Sequence, residues 1–254
     1  MVAVADVLLS LLAGGVAGVV AGLFGVGGGI IMVPILHYGL GLPFHLATMV
    51  SLGVITVNTP FGLHKQHERR NVRWKRGVFL GLGGAIGVLL GVWVWARVPD
   101  ATLVPILKSV FALLLLYAAW RMTGHEPTMH DIENDALLIP AGIVAGLAAN
   151  LLGIGGGLLM VPVLVFTGTV IHHAVATSLV AVFTNAALST AIGFPVLVHH
   201  LLFALPIAIG AIFGIRGGVR LANALKAERL RRVFALGLVL IGIGIVVDAV
   251  GILW

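Results

Sequence analysis

Long uncharged stretches alternate with short charged segments along the whole chain. Residues 7–36 and 136–171 carry no charge. Each stretch is too long for one membrane helix of about 20 residues and too short for two such helices and a loop. Six other apolar runs have the length of a single membrane span, at residues 44–63, 77–96, 101–120, 174–192, 201–222 and 233–252. The pattern predicts a bundle of membrane helices.

Composition strengthens this prediction. Hydrophobic residues make up 60% of the 254 residues and charged residues 9%, whereas a soluble domain carries about 25% charged residues. We therefore expect an all-α polytopic membrane protein, embedded in the lipid bilayer of the cell's inner (plasma) membrane. The N-terminus lacks the basic segment and cleavage pattern of a removable signal peptide. The chain has no cysteine, which excludes disulfides, thiolate metal sites and cysteine nucleophiles.

The two halves of the chain repeat one design. The segment from Gly22 to Pro34 matches the segment from Asn150 to Pro162 at an offset of 128 residues. At an offset of 127 the match continues, with His45, Ser51 and Asn58 corresponding to His172, Ser178 and Asn185. Matching blocks in the same order predict two repeats. We assign residues 1–123 to the first repeat, 124–135 to a cytoplasmic linker and 136–254 to the second repeat.

The basic residues indicate how the repeats are oriented. Of the fifteen Lys and Arg residues, six lie between Lys65 and Arg76 and four between Lys226 and Arg232. Between apolar runs such blocks mark the cytoplasmic side, so we expect no nucleic-acid partner despite the net charge of +6. The first block precedes the run 77–96, whereas the second follows its equivalent, 201–222.

Equivalent helices then cross the membrane in opposite directions. This requires two inverted repeats, each a glycine-broken helical hairpin of two short helices plus three transmembrane helices. Both termini would lie outside, and the loops 64–76, 121–136 and 223–232 in the cytoplasm. Inverted repeats with broken helices are typical of transporters that bind their substrate near the midplane.

The glycine blocks are the sharpest local feature of the sequence. They interrupt the two long uncharged stretches near their middle, with triplets at Gly27, Gly28 and Gly29 and at Gly155, Gly156 and Gly157. A new helix is expected to begin at each triplet, with its free N–H groups and positive dipole end near the bilayer midplane. Two such ends would hold a small anion between them. The alternative is close helix packing through small residues.

Polar side chains inside the predicted spans are further candidates. Asn58 and Asn185 occupy matched positions, and their amides can donate to an anion without bringing a charge into the bilayer. Ser51 and Ser178 lie two turns earlier on the same helix faces and extend the polar stripe. For all four residues the alternative is hydrogen bonding between helices. Arg216 lies deeper in its span than Arg220, and a charge at that depth is a candidate for substrate binding.

Other chemistry has little support. None of the nine acidic residues is predicted near the midplane, so a carboxylate proton relay or Na⁺ site is not expected there. The histidines lie near span ends, without the spacing of a metal site on one helix. Signatures of hydrolases, zinc peptidases and P-loop proteins are missing. We therefore predict no catalytic residues, no metal and no cofactor.

The doubled motif G-x-G-G-G-[IL]-[IL]-M-V-P, followed in both halves by the Ser…Asn segment, resembles the TauE/SafE family of sulfite-exporter-like membrane permeases. The resemblance covers almost the whole chain. It implies transport, usually export, of a sulfur-containing oxyanion such as sulfite or an organosulfonate. We expect a secondary transporter, with an anion channel built around the same site as the alternative. A membrane scaffold or enzyme is disfavoured, and a homo-oligomer is left open.

Overall fold

The chain folds into helices joined by short connections. The computed structural model describes residues 4–97, 100–123, 134–198 and 201–249. The first half contains α1 (Val4–Phe24), α2 (Gly29–Pro34), a π-helical turn (Ile35–Gly39), α3 (Phe44–Glu68), α4 (Trp74–Trp95) and α5 (Asp100–Thr123). The second half contains a 3₁₀ turn (Asp135–Leu137), α6 (Leu138–Leu152), α7 (Gly157–Phe166), α8 (Ile171–Leu197), α9 (Leu201–Ala224) and α10 (Ala227–Ala249).

The described residues form an all-α membrane protein, as the sequence predicts. Six helical segments are long and apolar enough to cross a membrane, at Phe44–Glu68, Trp74–Trp95, Asp135–Leu152, Ile171–Pro195, Ala204–Ala224 and Ala227–Val247. Large apolar side chains cover the outer surface of the bundle. Trp120, Phe213 and Leu240, for example, are 70%, 69% and 63% exposed. Such a surface suits lipid better than water, so the protein is a multi-pass membrane protein.

The first glycine-broken hairpin differs from the expectation of two short helices. The first helix, α1, has 21 residues, and at 1.5 Å per residue it extends about 30 Å, close to the thickness of the hydrocarbon core. Its counterpart α6 has 15 residues. The second helices differ as well, because α2 passes into a π-helical turn after Pro34 whereas α7 continues past Pro162 to Phe166.

Each hairpin packs against the opposite half of the chain through glycine. The first helix, α1, lies beside α9 in the same direction, with Gly14 against Ile207, Gly18 against Ala211 and Gly22 against Ile215. In the same way α6 lies beside α4 and runs in the same direction, with Gly142 against Leu80 and Gly146 against Gly84. Small residues let membrane helices approach until their backbones touch. The halves therefore interlock.

The two longest helices, α3 and α8, pack against each other near the centre of the bundle. They run antiparallel, because a Cβ on Gly53 would meet Leu197 and one on Gly62 would meet Leu179. The hydroxyls of Thr56 and Thr190 are 2.9 Å apart across this contact. Helices α3 and α8 carry the matched Ser and Asn residues, so this pair positions the polar groups of both halves.

Three of the connections meet at one end of the bundle. Arg76 at the start of α4 donates to Asp135 (3.1 Å) and to the Thr169 hydroxyl (2.8 Å). His173 donates from Nδ1 to the backbone oxygen of Asn71 at 2.8 Å. These contacts bring together the segments around residues 71–76, 135 and 169–173. The basic residues there predict that this end faces the cytoplasm.

Cysteine labelling tests this orientation, and it is clean because the chain has no cysteine of its own. Lys226 and Arg97 are exposed at opposite ends of the bundle. We expect Arg97→Cys to react with a membrane-impermeant thiol reagent in intact cells, and Lys226→Cys to react only after permeabilisation. If only Lys226→Cys were labelled in intact cells, the protein would have the opposite orientation in the membrane.

Candidate functional site

The two glycine blocks end one helix and start the next, as predicted. Gly28 adopts φ = 88° before α2, and Gly156 adopts φ = 79° before α7. An L-residue with a side chain rarely takes this conformation, so glycine is required there. Both triplets are fully enclosed by the protein, which agrees with the rule that irregular backbone within a membrane is buried in protein or lines a wet cavity.

The two blocks lie against each other at the centre of the molecule. A Cβ added to Gly29 would clash with the carbonyl oxygen of Gly153, and one added to Gly157 would clash with that of Gly25. Here we call this meeting of residues 25–29 with residues 153–157 the glycine crossing. In the described conformation its backbones are in direct contact, so an anion between them requires the blocks to separate.

Ser51 and Ser178 bind the glycine crossing symmetrically. The Ser51 hydroxyl donates to the Gly153 oxygen at 2.8 Å, and the Ser178 hydroxyl donates to the Gly25 oxygen at 2.9 Å. Each serine therefore ties its own helix to the glycine block of the other half. A hydroxyl has one proton to donate. That of Ser51 goes to Gly153, and that of Ser178 is shared between the Gly25 oxygen and the Val175 oxygen of its own helix, which is also 2.9 Å away. The geometry favours hydrogen bonding between helices as the role of both serines. Direct contact of the serines with the substrate stays a prediction.

Asn58 and Asn185 are buried amides whose N–H donors have no partner among the described residues. Both residues are 0% exposed. Among the described residues, Asn58 Nδ2 has no hydrogen-bond partner, and neither do Nδ2 and Oδ1 of Asn185. Asn58 Oδ1 accepts a bond from the Thr59 hydroxyl at 3.2 Å. Leaving a buried polar group unsatisfied costs about 1–3 kcal/mol, so these amides remain candidates for binding a ligand.

Arg216 lies apart from these groups. Its side chain is exposed on α9, and its guanidinium stacks over the Phe61 ring with 5.4 Å between the guanidinium carbon and the ring centroid. The structure thus brings together the glycine triplets and the serines but leaves Arg216 on the outer surface of the bundle. Its predicted role in substrate binding receives no support from this position.

The structure also reveals a cavity that sequence reasoning missed. It has a volume of about 430 Å³ and lies between α3, α4, α6 and α8. Its polar lining consists of His45, Thr48, Asn150 and Ser189. The sequence contained one signal of this cavity. The repeat aligns Asn150 with Gly22, so the second half has a polar amide where the first half has glycine.

The described residues contain no group of three or more His, Asp or Glu side chains arranged to hold a metal ion. The polar side chains at the candidate site are the hydroxyls of Ser51 and Ser178 and the amides of Asn58 and Asn185. Such groups can bind and orient a polar solute.

Comparison with known proteins assigns the chain to a family. The family model described as "Sulfite exporter TauE/SafE" matches residues 10–245. The chain belongs to the TauE/SafE family. The resemblance drawn from the doubled glycine motif is therefore confirmed.

TauE/SafE relatives match most of the chain. A probable membrane transporter protein of Xylella fastidiosa is 30% identical over 252 residues, which are 95% of this chain and 95% of the relative. The probable membrane transporter protein YunE of Bacillus subtilis is 25% identical and covers 92% of this chain and 95% of its own length. A probable membrane transporter protein of Methanocaldococcus jannaschii is 27% identical over 67% of this chain and 66% of its own. No solved structure matches the chain.

Proposed function

We propose that this protein is a secondary transporter that exports a small sulfur-containing oxyanion, such as sulfite or an organosulfonate. The observation that carries the proposal is the pair of fully buried Asn58 and Asn185 amides, whose N–H donors have no partner in the described structure. They lie one helical turn beyond Ile55 and Val182, which contact the glycine crossing of a TauE/SafE-family chain. Neutral donors stabilise an oxyanion by charge-assisted hydrogen bonds. The family supplies the expectation of sulfur.

The path of the substrate would run through the glycine crossing. Asn58 follows Ser51 by seven residues and Asn185 follows Ser178 by seven, which is two helical turns in each case. Because α3 and α8 are antiparallel, the two asparagines lie on opposite sides of the crossing. When the glycine blocks separate, each amide can donate to the anion as it enters or leaves the midplane.

Two inverted repeats are part of the proposal. What supports them is the direction of the helices, since α4 and α8 run parallel, with Gly77 against Val180 and Gly84 against Asn185. The chain turns back between α8 and α9, so α9 runs opposite to its counterpart α4. A carrier built from inverted repeats can expose one site to each side of the membrane in turn.

A carrier is favoured over a channel because the two ends of the bundle differ. The cavity lies near the end where α3 begins. At the other end Gln66, Asn71 and Asn223 form a closed cluster, in which Asn71 donates to Gln66 at 2.9 Å and to Asn223 at 2.7 Å. Gln66 and His45 are separated by about 30 Å along α3 at 1.5 Å per residue. The larger cavity therefore lies at one end and the hydrogen-bonded cluster at the other, an asymmetry that supports alternating access.

Flux measurements in proteoliposomes test the proposal. We expect saturable efflux of radiolabelled sulfite that is accelerated by unlabelled sulfite on the opposite side, because a carrier returns faster when loaded. Sulfate, thiosulfate and methanesulfonate can each replace the unlabelled sulfite on the opposite side. The extent to which each anion accelerates efflux would rank them as substrates. Flux that neither saturates nor responds to countertransport would indicate a channel, and the absence of flux for every one of these anions would contradict the proposal.

A further inference from the structure

The cavity between α3, α4, α6 and α8 is large enough for a hydrated ion. At about 30 Å³ per water molecule in the liquid, its 430 Å³ exceeds the volume of ten waters. It begins near His45 and Trp95, whose rings meet edge-on at 4.9 Å between centroids. It extends to Asn150 at the end of α6, immediately before the glycine crossing. The cavity therefore leads from one end of the bundle toward its centre.

Three buried polar atoms on the lining residues lack partners. They are Nδ1 of His45, Oγ1 of Thr48 and Oδ1 of Asn150, and no other described residue bonds to them. Thr48 is 2% exposed and Asn150 8% exposed. Buried polar groups in native proteins nearly always have a partner. Three unpartnered atoms on residues that line one cavity make these residues candidates for holding a polar ligand.

The chemistry of these groups suits an anion. The Thr48 hydroxyl can donate, and so can His45 in the tautomer with a proton on Nδ1. Asn150 Nδ2 now donates to the Ser189 hydroxyl at 3.1 Å. If its amide turns over, Oδ1 accepts from Ser189 and Nδ2 becomes the unpartnered donor; the two orientations are nearly equivalent in shape. None of the described residues that line the cavity is acidic.

Positive charge lies next to the mouth. Arg97 directly follows Ala96, which lines the cavity, and its guanidinium stacks on Trp93 at 4.3 Å from the ring centroid. A cation at the entrance raises the local concentration of anions. The cavity thus combines a nearby positive charge with hydroxyl and amide groups in its lining.

Three of the four polar lining residues have apolar counterparts in the sequence repeat. The counterparts of Thr48, Asn150 and Ser189 are Val175, Gly22 and Gly62. The counterpart of His45 is His172, which donates from Nε2 to the Leu225 oxygen at 3.0 Å. Because the fold accommodates valine and glycine at the matched positions, it does not require the hydroxyls and the amide. Thr48 comes from the first half and Asn150 and Ser189 from the second, so both halves contribute polar groups to this one cavity.

We propose that this cavity is the binding site for the transported oxyanion in the conformation open to the outer face, with Thr48, Asn150 and His45 as its hydrogen-bond donors. This inference rests on the proposed function and specifies where the anion binds before the glycine crossing opens. Ser189 is a positioning residue, because it holds the amide of Asn150.

Calorimetric titration of the purified protein with potassium sulfite in sodium-free buffer tests the site. Thr48→Val preserves shape and removes one donor, and Asn150→Leu removes another. We expect each change to raise the Kd for sulfite by about 10- to 150-fold, the cost of a lost hydrogen bond to a charged group. Thr184→Val is the matched control, because its hydroxyl is already bonded to the Val180 oxygen of its own helix at 3.0 Å. The control should bind sulfite within about twofold of wild type.

The outcomes separate this proposal from the proposed function. If wild type binds sulfite and both variants bind it within about twofold of wild type, the anion binds elsewhere. The assignment of the cavity is then wrong, while the proposed function still stands. If wild type binds no sulfite and no methanesulfonate, both proposals fail. If Na⁺ binds instead and Thr48→Val abolishes its binding, the cavity is a cation site and the anion assignment is wrong. Unchanged thermal midpoints establish that both variants are folded.

Discussion

Replacing Gly157 by alanine should sharply reduce the amount of folded protein. A Cβ at this position would clash with the Gly25 oxygen and lie 2.5 Å from the Cα of Val26. Both are backbone atoms of the other half, so they cannot move aside as a flexible side chain would. Overpacking of this kind costs about 1–3 kcal/mol and occasionally more. We expect a lower thermal midpoint and an early aggregated fraction in size-exclusion chromatography.

Gly244→Ala is the matched control for this prediction. Gly244 lies in α10, and an added Cβ would meet nothing within 4 Å. Because alanine favours a helix over glycine by about 1 kcal/mol, this variant should be as stable as wild type or more so. A Gly157→Ala protein as stable as the control would show that the glycine crossing is looser than described.

Replacing Asn58 and Asn185 together by leucine should block transport without harming the fold. Both amides are buried, and the N–H donors of neither have a partner among the described residues. Removing them relieves unsatisfied groups at the loss of one bond, from the Thr59 hydroxyl to Asn58 Oδ1 at 3.2 Å, so stability should change little. If they donate to the anion at the crossing, its passage loses about 1.5–3 kcal/mol for each bond. Saturated sulfite flux in proteoliposomes should then fall by about 10- to 150-fold for each single change.

Thr56→Val should behave in the opposite way. The Thr56 hydroxyl donates to the Leu52 oxygen at 2.8 Å and contacts Thr190 at 2.9 Å, so its removal should cost about 0.5–1.5 kcal/mol of stability and leave flux unchanged. A well-folded double asparagine variant with normal flux would assign Asn58 and Asn185 to helix packing.

The polar residues show how far a sequence can be interpreted. Ser51 and Asn58 lie seven residues apart on one helix and so share a face, yet their environments differ. The Ser51 proton is used by the oxygen of Gly153, which is 102 residues away along the chain, whereas Asn58 Nδ2 finds no partner in the described structure. Periodicity identifies the shared face, but it does not say which backbone oxygen lies opposite.

Arg216, on the outer surface of the bundle, shows the same limit of sequence interpretation. Its depth in an apolar run suggests a functional charge, but α9 presents one face to α1 and another to the exterior, and Arg216 is on the exterior face. The cavity was missed for a related reason. Asn150, Thr48 and Ser189 come from three helices that are distant in the chain and belong to both repeats, so no local pattern connects them.

The sequence by itself determined the membrane class, the repeat, the family and the breaks at the glycine triplets, because hydropathy, repetition and backbone freedom are properties of neighbouring residues. The tertiary structure alone decided which polar groups are used by the fold and which stay available to a ligand. That choice depends on contacts between the interlocked halves. Ser178 and Gly25, which are 153 residues apart, meet only because α1 packs against α9 and α6 against α4, which presses the two glycine blocks together.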